Sequence, residues 1–454
     1  MIVIDSTIVT VALPTIGEHF RASERSLVWI VNAYLIPYGA FMPLSGRVGD
    51  YFGHGRAYLI GIAVFLVGSL LCGLAPAIGV LIGARVAQGA GAAMILAASL
   101  PLMLQECESA SARATAFAFQ YSTNAIGGSA GLLLGGLITQ ALDWRWIFLI
   151  NIPIGILVYV ISPISNLRKF QTRPETAIDA GGITALTISL VLATMVILSL
   201  PGTNWSSPST LLSLAGSFTL FALFVIIESR AKCPAVPLAL FVQHTYAAGT
   251  IILVLWTASQ VTWLFMSALY LQRVLQYEPF RVGLAFLPAT LTMAIFSFRF
   301  STRVGLRFGL RGATTVASLI IAGGIGILGR APVNASFWVD VLPAMICLGL
   351  GFGIGGSPLL LGILSGVKQS HHGVASGIVS TSAVLGGTIA LAAMESVASS
   401  RVTYIRAQGA NPILALTSGY HFAFMVAMVL ATLAAFLAMI AFRQIDMSRG
   451  ALKR

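Results

Sequence analysis

Long apolar segments recur along the whole 454-residue chain and decide what it can fold into. About fourteen of them approach the roughly 20 residues that a helix needs to cross a hydrocarbon core of about 30 Å. With 57% apolar and 9% charged residues, the chain lacks the polar surface of a soluble domain of this size. It is therefore predicted to be an all-α, polytopic membrane protein. The predicted spans are 2–18, 27–46, 57–76, 77–103, 114–140, 144–163, 180–200, 210–227, 245–271, 283–300, 313–329, 338–362, 374–396 and 419–442.

Lysine and arginine are distributed unevenly over the connections between these spans. With a cytoplasmic N-terminus, the connections on the cytoplasmic side carry about twice as many of them as the other side. This bias predicts that both termini are cytoplasmic. It also indicates that the net charge of +12 reflects the orientation of the chain in the membrane and not nucleic-acid binding.

Sequence patterns of metal sites, cofactor sites and enzymes are not found. The four cysteines are scattered without the spacing of metal ligands, and no Gly-x-x-x-x-Gly-Lys-Ser/Thr phosphate cradle occurs. We therefore expect no metal, no cofactor and no enzymatic activity.

The connection between the second and third spans, residues 46–56, has the sequence GRVGDYFGHGR. Its glycines permit tight turns and close helix contact, and its carboxylate can complement the N-terminus of a helix. We interpret it as a conformational latch that favours one access state; a simple tight turn with a capping aspartate is the alternative. The latch residues are Gly46, Gly49, Asp50, Gly53 and Arg56.

A short internal echo indicates a repeat. GDYFG at 49–53 and GLRFG at 305–309 share their glycine and phenylalanine spacing, and each follows a corresponding span, the second and the tenth. Pairing them matches six helices with six others and leaves the seventh and eighth spans as an insert. The predicted domains are a six-helix bundle at 1–165, a two-helix insert at 166–240 and a second six-helix bundle at 241–454.

Charged residues inside the spans are candidates for function. Asp5 lies in apolar sequence, and a charge at the bilayer centre costs about 2.5–3.5 kcal/mol, so it should face a cavity or a partner. Arg85 lies deep in a span, with Gln88 one turn later on the same helix face. We predict that Asp5 and Arg85 couple transport to protons. The alternatives are a carboxylate held by Ser6 or Thr7 and an arginine that serves as a structural clamp.

A row of glycines in the fifth span predicts close helix packing, because small residues let two backbones approach. The row consists of Gly127, Gly131, Gly135 and the adjacent Gly136. Close packing of the kind found in any membrane protein is the alternative.

Aromatic and amide side chains are candidates for a substrate cavity. Trp256, Gln260 and Trp263 are spaced i, i+4 and i+7, and two aromatic faces around one amide suit flat, lipophilic or cationic solutes. Tryptophans that face lipid or pack against a neighbouring helix are the alternative. The other cavity candidates are Gln88, Gln120 and Asn124.

Several of these stretches resemble signatures of one family, the major facilitator superfamily. The resemblance covers IDSTIVTVALP at 4–14, the 46–56 connection, RVAQGAGAA at 85–93, the glycine row at 127–136, and residues 144–153, 270–288 and 373–387. It is specific for the fourteen-helix drug:proton antiporter branch. It implies two six-helix bundles plus two inserted helices, and a monomer in the bacterial cytoplasmic membrane that exports lipophilic or cationic small molecules in exchange for protons.

The sequence also departs from that family. Leu132 stands where the family has a proline, and Ser380, Ala383 and Val384 replace polar residues of helix 13. The chain before Asp5 is short, so we expect a shortened first helix or a start further upstream. Two alternatives therefore stay open: export of an endogenous metabolite such as an antibiotic, siderophore or lipid, and a non-transporting membrane scaffold or sensor.

Overall fold

The computed structural model describes residues 1–22, 24–105, 110–162, 180–199, 208–230, 239–365, 367 and 372–442. Every predicted apolar span contains a helix, which confirms the all-α prediction. Nine helices in the described ranges are long and apolar enough to cross a membrane. The helices are α1 (Ile2–Phe20), α2 (Glu24–Ala40), α3 (Met42–Phe52), α4 (His54–Gly73), α5 (Ile78–Gln105), α6 (Ala110–Ala141), α7 (Trp146–Leu149), α8 (Asn151–Ile161), α9 (Ala180–Ser199), α10 (Pro208–Arg230), α11 (Ala239–Val242), α12 (His244–Arg273), α13 (Pro279–Arg299), α14 (Ser301–Leu328), a π-helical turn (Phe337–Val341), α15 (Leu342–Leu364), α16 (His372–Ala407) and α17 (Pro412–Ala441).

The chain divides into two compact units. Unit 1 comprises Met1–Glu106, Gly131–Ala239 and Gln369–Leu385, and unit 2 comprises Cys107–Ala130, Leu240–Lys368 and Gly386–Arg454. Within unit 1, α5 packs against α2 and α4, and α9 packs against α2, α3 and α10. Within unit 2, α15 packs against α13 and α14, and α17 packs against α12 and α14. The predicted domain boundaries at 165 and 240 stay a prediction.

The predicted second span is two helices rather than one. α2 ends at Ala40 and α3 begins at Met42, where Pro43 occupies the first turn. Proline has no backbone N–H and fits that position, because the first turn of a helix leaves its N–H groups unpaired. The chain therefore restarts its helix at this point.

The connection expected between the second and third spans is reduced to one residue, because α3 continues to Phe52 and α4 begins at His54. Gly53 between them has φ 92°, and Gly309 has φ 70° inside α14. L-amino acids rarely adopt such φ values, because their Cβ atom clashes with the backbone. The two halves of the sequence echo thus each end in a glycine with a positive φ.

Candidate functional site

Asp5 lies on α1 in unit 1 and is fully buried. Its Oδ2 atom is 2.6 Å from Nη1 of Arg85, which is 1% exposed. Its Oδ1 atom accepts hydrogen bonds of 2.8 Å from the side-chain amides of Gln88 and Asn151. One buried cation and two amides therefore compensate the carboxylate, as a charge in a low-dielectric interior requires.

The sequence left open whether local hydroxyl groups hold this carboxylate. Ser6 and Thr7 both donate instead to the backbone carbonyl of Val3, each at 2.9 Å. The partners of Asp5 come from α5 and α8, far away in the sequence. The structure brings Asp5 and Arg85 into direct contact, which sequence reasoning could not decide.

Arg85 is fixed by more than its ion pair. Its Nε atom donates to the carbonyl of Ile30 at 3.1 Å, and its Nη1 atom also donates to Oε1 of Gln88 at 2.7 Å. The guanidinium carbon lies 4.2 Å from the ring centroid of Tyr34, a cation–π geometry. A planar guanidinium held along its edge and face has one orientation, and that orientation directs it at Asp5.

Gln88, a predicted cavity residue, lies inside this cluster. Its Nε2 atom donates to Ser69 Oγ at 2.7 Å as well as to Asp5. α4 approaches closely because residue 68 is glycine: a Cβ atom there would lie 2.8 Å from the backbone nitrogen of Gln88. The glycine therefore lets α4 place Ser69 next to the amide.

Asn151 is the member of the cluster that our sequence reasoning missed. It is the first residue of α8 and is 1% exposed. A signal was present, because it is a lone amide in the apolar run FLINIP. Its Oδ1 atom has no hydrogen-bond partner among the described residues. An amide with a free oxygen can rotate to accept the proton of a carboxylic acid, so Asn151 can serve both protonation states of Asp5.

The glycine row packs against the helix that carries Asp5. A Cβ atom on Gly131 would lie 2.7 Å from the carbonyl oxygen of Ile4, and one on Gly135 would lie 3.0 Å from that of Ile8. Gly136 is buried and Gly127 is half-buried. α6 and α1 are therefore in backbone contact beside the cluster.

The predicted latch is only partly within the described residues. Gly49 packs against the ring of His54, whereas a Cβ atom on Gly46 would meet nothing within 4 Å. Arg56 is exposed. The side chain of Asp50 lies outside the part of the chain that the structure describes, so the latch stays a prediction.

The predicted aromatic cavity residues lie in unit 2. Trp256 and Trp263 are 1% and 3% exposed, and the ring centroid of each is 5.6 Å from that of Phe352 on α15. Gln260 and Gln120 are half-buried. The side chain of Asn124 lies outside the described residues. Both indoles pack against the ring of Phe352, and their role in a cavity stays a prediction.

Comparison with known proteins gives consistent results over most of the chain. The family model described as Major Facilitator Superfamily matches residues 1–391. The chain is 32% identical to the cephamycin export protein CmcT of Amycolatopsis lactamdurans over 413 residues, which cover 88% of this chain and 83% of that protein. It is 29% identical to the puromycin resistance protein pur8 of Streptomyces alboniger over 431 residues, covering 93% and 84%.

The fold is similar to that of a solved transporter. The proton:xylose symporter XylE, a member of the same family, superposes with a TM-score of 0.61 at 14% identity, and the match covers 96% of this chain and 91% of that chain. At this identity the likeness concerns the fold alone.

Proposed function

The chain belongs to the Major Facilitator Superfamily, and on that premise we propose that it is an antiporter that exports lipophilic or cationic small molecules in exchange for protons. The family and fold predicted from the sequence are confirmed. The protein is a multi-pass membrane transporter that binds small-molecule substrates, and it is not an enzyme. Its location in the bacterial cytoplasmic membrane, its cytoplasmic termini and its monomeric state belong to the proposal.

The observation that carries the proposal is the fully buried carboxylate of Asp5 in contact with Arg85. With Asp5 ionised, the pair has no net charge. When a proton binds, an O–H bond forms on the carboxylate and the pair becomes +1. The cluster can therefore exist in two charge states, with the amide of Asn151 rotated in the protonated state so that its oxygen accepts the new proton. A carrier that loads and releases protons requires two such states.

These charge states give a physical reason for exchange. A cationic solute about 8 Å from Asp5 is repelled by the added charge with about 2 kcal/mol at an effective dielectric constant of about 20. That difference corresponds to roughly thirtyfold in affinity. A proton and a cationic solute would thus displace one another, which is the thermodynamic requirement for antiport.

The contact between α1 and α6 connects the cluster to movement of the helices. Because Gly131 and Gly135 present no side chains to α1, that helix can shift along α6 without breaking interlocked packing. We assign the glycine row to this sliding contact and residues 46–56 to the latch that holds one access state. The aromatic and amide candidates in unit 2 are assigned to the substrate cavity.

Dye efflux from cells tests this proposal. Cells that express the wild-type chain should lose efflux when a protonophore is added, and Asp5→Asn should abolish efflux without it. Asp143→Asn is the matched control, because that carboxylate is 49% exposed and outside the cluster. Efflux that survives both the protonophore and Asp5→Asn would remove Asp5 from the mechanism. Absence of any ion-linked flux in the wild type would support the non-transporting alternative.

Export of an endogenous antibiotic is the second candidate function. It is favoured by the similarity to a protein named for cephamycin export and to one named for puromycin resistance. The two functions differ in breadth. A multidrug exporter should be competitively inhibited by several unrelated cationic dyes, whereas an antibiotic exporter should respond to one structural class of compound.

A further inference from the structure

A groove in unit 2 has the composition of a binding site and takes no part in the Asp5 cluster. It has a volume of about 470 Å³ and lies between α17, one side chain of α16 and the connection that follows α14. Its wall is mostly apolar, with a few polar groups on one side. Its lining includes Arg401, Leu414, Ser418, His421, Phe422 and Met425.

Arg401 is held in the groove by contacts that leave its outer edge free. Its Nε atom donates to Ser418 Oγ at 3.3 Å, and its guanidinium carbon lies 5.5 Å and 5.9 Å from the rings of Tyr404 and Phe422. Across the described ranges, no carboxylate oxygen lies within 4.0 Å of it, and its two terminal nitrogens donate to no group. Two parallel N–H groups, fixed in direction and without a partner, match the oxygens of a phosphate.

His421 supplies a second polar group on the same wall. Its Nε2 atom lies 2.9 Å from the carbonyl oxygen of Ala331. A carbonyl can only accept, so Nε2 carries the hydrogen and the ring is fixed in place. The polar side of the groove is therefore made of immobilised groups.

The position along α17 places the groove at the boundary of the bilayer. A stripe of exposed apolar side chains begins in the groove and continues along the helix, with Phe422, Met425, Val429, Leu433, Phe436 and Ile440 as its members. From residue 422 to 440 a helix rises about 27 Å, close to the roughly 30 Å of a hydrocarbon core. Arg401 lies about 9 Å before the end of α16 at Ala407. The groove thus lies at the depth of the lipid headgroups.

We propose that this groove binds an anionic phospholipid, with the headgroup phosphate on Arg401 and an acyl chain along Phe422 and Met425. A cation with no carboxylate at the edge of the hydrocarbon attracts an anion, and anionic lipid is the anion present there. The apolar wall, with Phe422 and Met425 42% and 52% exposed, suits a hydrocarbon chain and offers nothing to a free phosphate ion. This inference does not depend on what the protein transports.

Native mass spectrometry of the full chain in detergent micelles tests the site. The wild type is mixed with phosphatidylglycerol and phosphatidylcholine that carry identical acyl chains, and the bound lipids are counted. We expect phosphatidylglycerol to be retained on the order of tenfold more strongly. Both headgroups carry a phosphate, but the quaternary ammonium of phosphatidylcholine cancels its charge and is repelled by Arg401. Equal retention of both lipids by the wild type would overturn the proposal.

Variants identify the residue responsible. Arg401→Gln should remove the preference for phosphatidylglycerol. Arg401→Lys should keep the preference but retain both lipids less strongly, because lysine keeps the charge and lacks the fork that binds the phosphate. Arg406→Gln is the matched control: it removes the same charge from an exposed position on the same helix, outside the groove. A preference that Arg401→Gln leaves intact, or that Arg406→Gln removes equally, would contradict the site.

Two further experiments are needed. One tests the site if Arg401→Gln does not fold, and the other asks whether the bound phosphate belongs to a lipid or to a free ion. Leu414→Glu leaves Arg401 in place and adds a carboxylate at a position that is 54% exposed, near the N-terminus of α17, where an acidic residue is tolerated. It should abolish the preference even if Arg401→Gln fails to fold. Inorganic phosphate in excess should not displace phosphatidylglycerol from the wild type; displacement would show an anion site without a lipid and overturn the proposal.

Discussion

The contact between Asp5 and Arg85 makes a quantitative prediction about stability. The two side chains are 2.6 Å apart and at most 1% exposed. Asp5→Asn should lower the free energy of unfolding by about 3–5 kcal/mol, because it leaves the cation of Arg85 buried without its carboxylate. Arg85→Gln should lower it by a similar amount, because it leaves the carboxylate of Asp5 buried without its cation. The double variant leaves no uncompensated charge, so its cost should be smaller than the sum by about 2–3 kcal/mol.

The assay is reversible unfolding of the purified protein by SDS in mixed micelles, followed by circular dichroism for the wild type, both single variants and the double variant. The exposed pair Asp143 and Arg145 provides a control cycle, since its atoms are 3.4 Å apart and its side chains are 49% and 30% exposed. Its coupling should be about 1 kcal/mol or less. If the double variant lost the sum of the two single losses in the free energy of unfolding, within about 0.5 kcal/mol, the buried charges of Asp5 and Arg85 would not be coupled.

Three other substitutions test the local geometry by the same unfolding assay. Gly131→Ala should cost about 1–3 kcal/mol and reduce efflux, because the added methyl group would overlap with α1. Gly309→Ala should cost about 1–2 kcal/mol, because alanine is strained at φ 70° although there is space for its Cβ atom. Asn151→Leu should cost about 1.5–3 kcal/mol, because it removes a hydrogen bond to the charged carboxylate of Asp5.

Matched glycines in the same helices or unit control for the general effect of alanine. Gly83 on α5 and Gly323 on α14 both have open space around a Cβ atom and ordinary helical φ values. Alanine at either position should be neutral or stabilising by up to about 1 kcal/mol. If Gly131→Ala were as stable as Gly83→Ala, the close contact between α6 and α1 would not exist. If Gly309→Ala were as stable as Gly323→Ala, the positive φ of Gly309 would not strain an alanine. For Asn151→Leu, an unchanged free energy of unfolding would show that its hydrogen bond to Asp5 is not formed.

The helices and the family could be predicted from the sequence because both depend on local signals. Apolar runs of membrane length and glycine-rich signatures are contiguous in the chain, and Gln88 shares a helix face with Arg85 by spacing alone. Gly53 and Gly309, which both have a positive φ, are the last residues of the two halves of the sequence echo, so a short local pattern marks them as well.

The partners of the buried charge could not be predicted, because they depend on tertiary packing. A carboxylate in an apolar run shows that a partner exists but does not say which helix provides it. Asn151 is 146 positions from Asp5 and lies on another helix. The same holds for the extent of α3, where helix formation continues through glycines that the sequence placed in a connection.

Proton coupling through Asp5 is tested most directly by proton flux in proteoliposomes that contain the purified chain and a pH-sensitive dye. With an outward gradient of a transported cationic dye and no other driving force, the wild type should move protons inward. Asp5→Asn leaves the pair at the charge of its protonated state, so it should show no proton flux and should exchange labelled for unlabelled dye only at roughly thirtyfold higher dye concentration. Proton movement that persists in Asp5→Asn, at the wild-type ratio to dye movement, would contradict the claim that this buried carboxylate carries the proton.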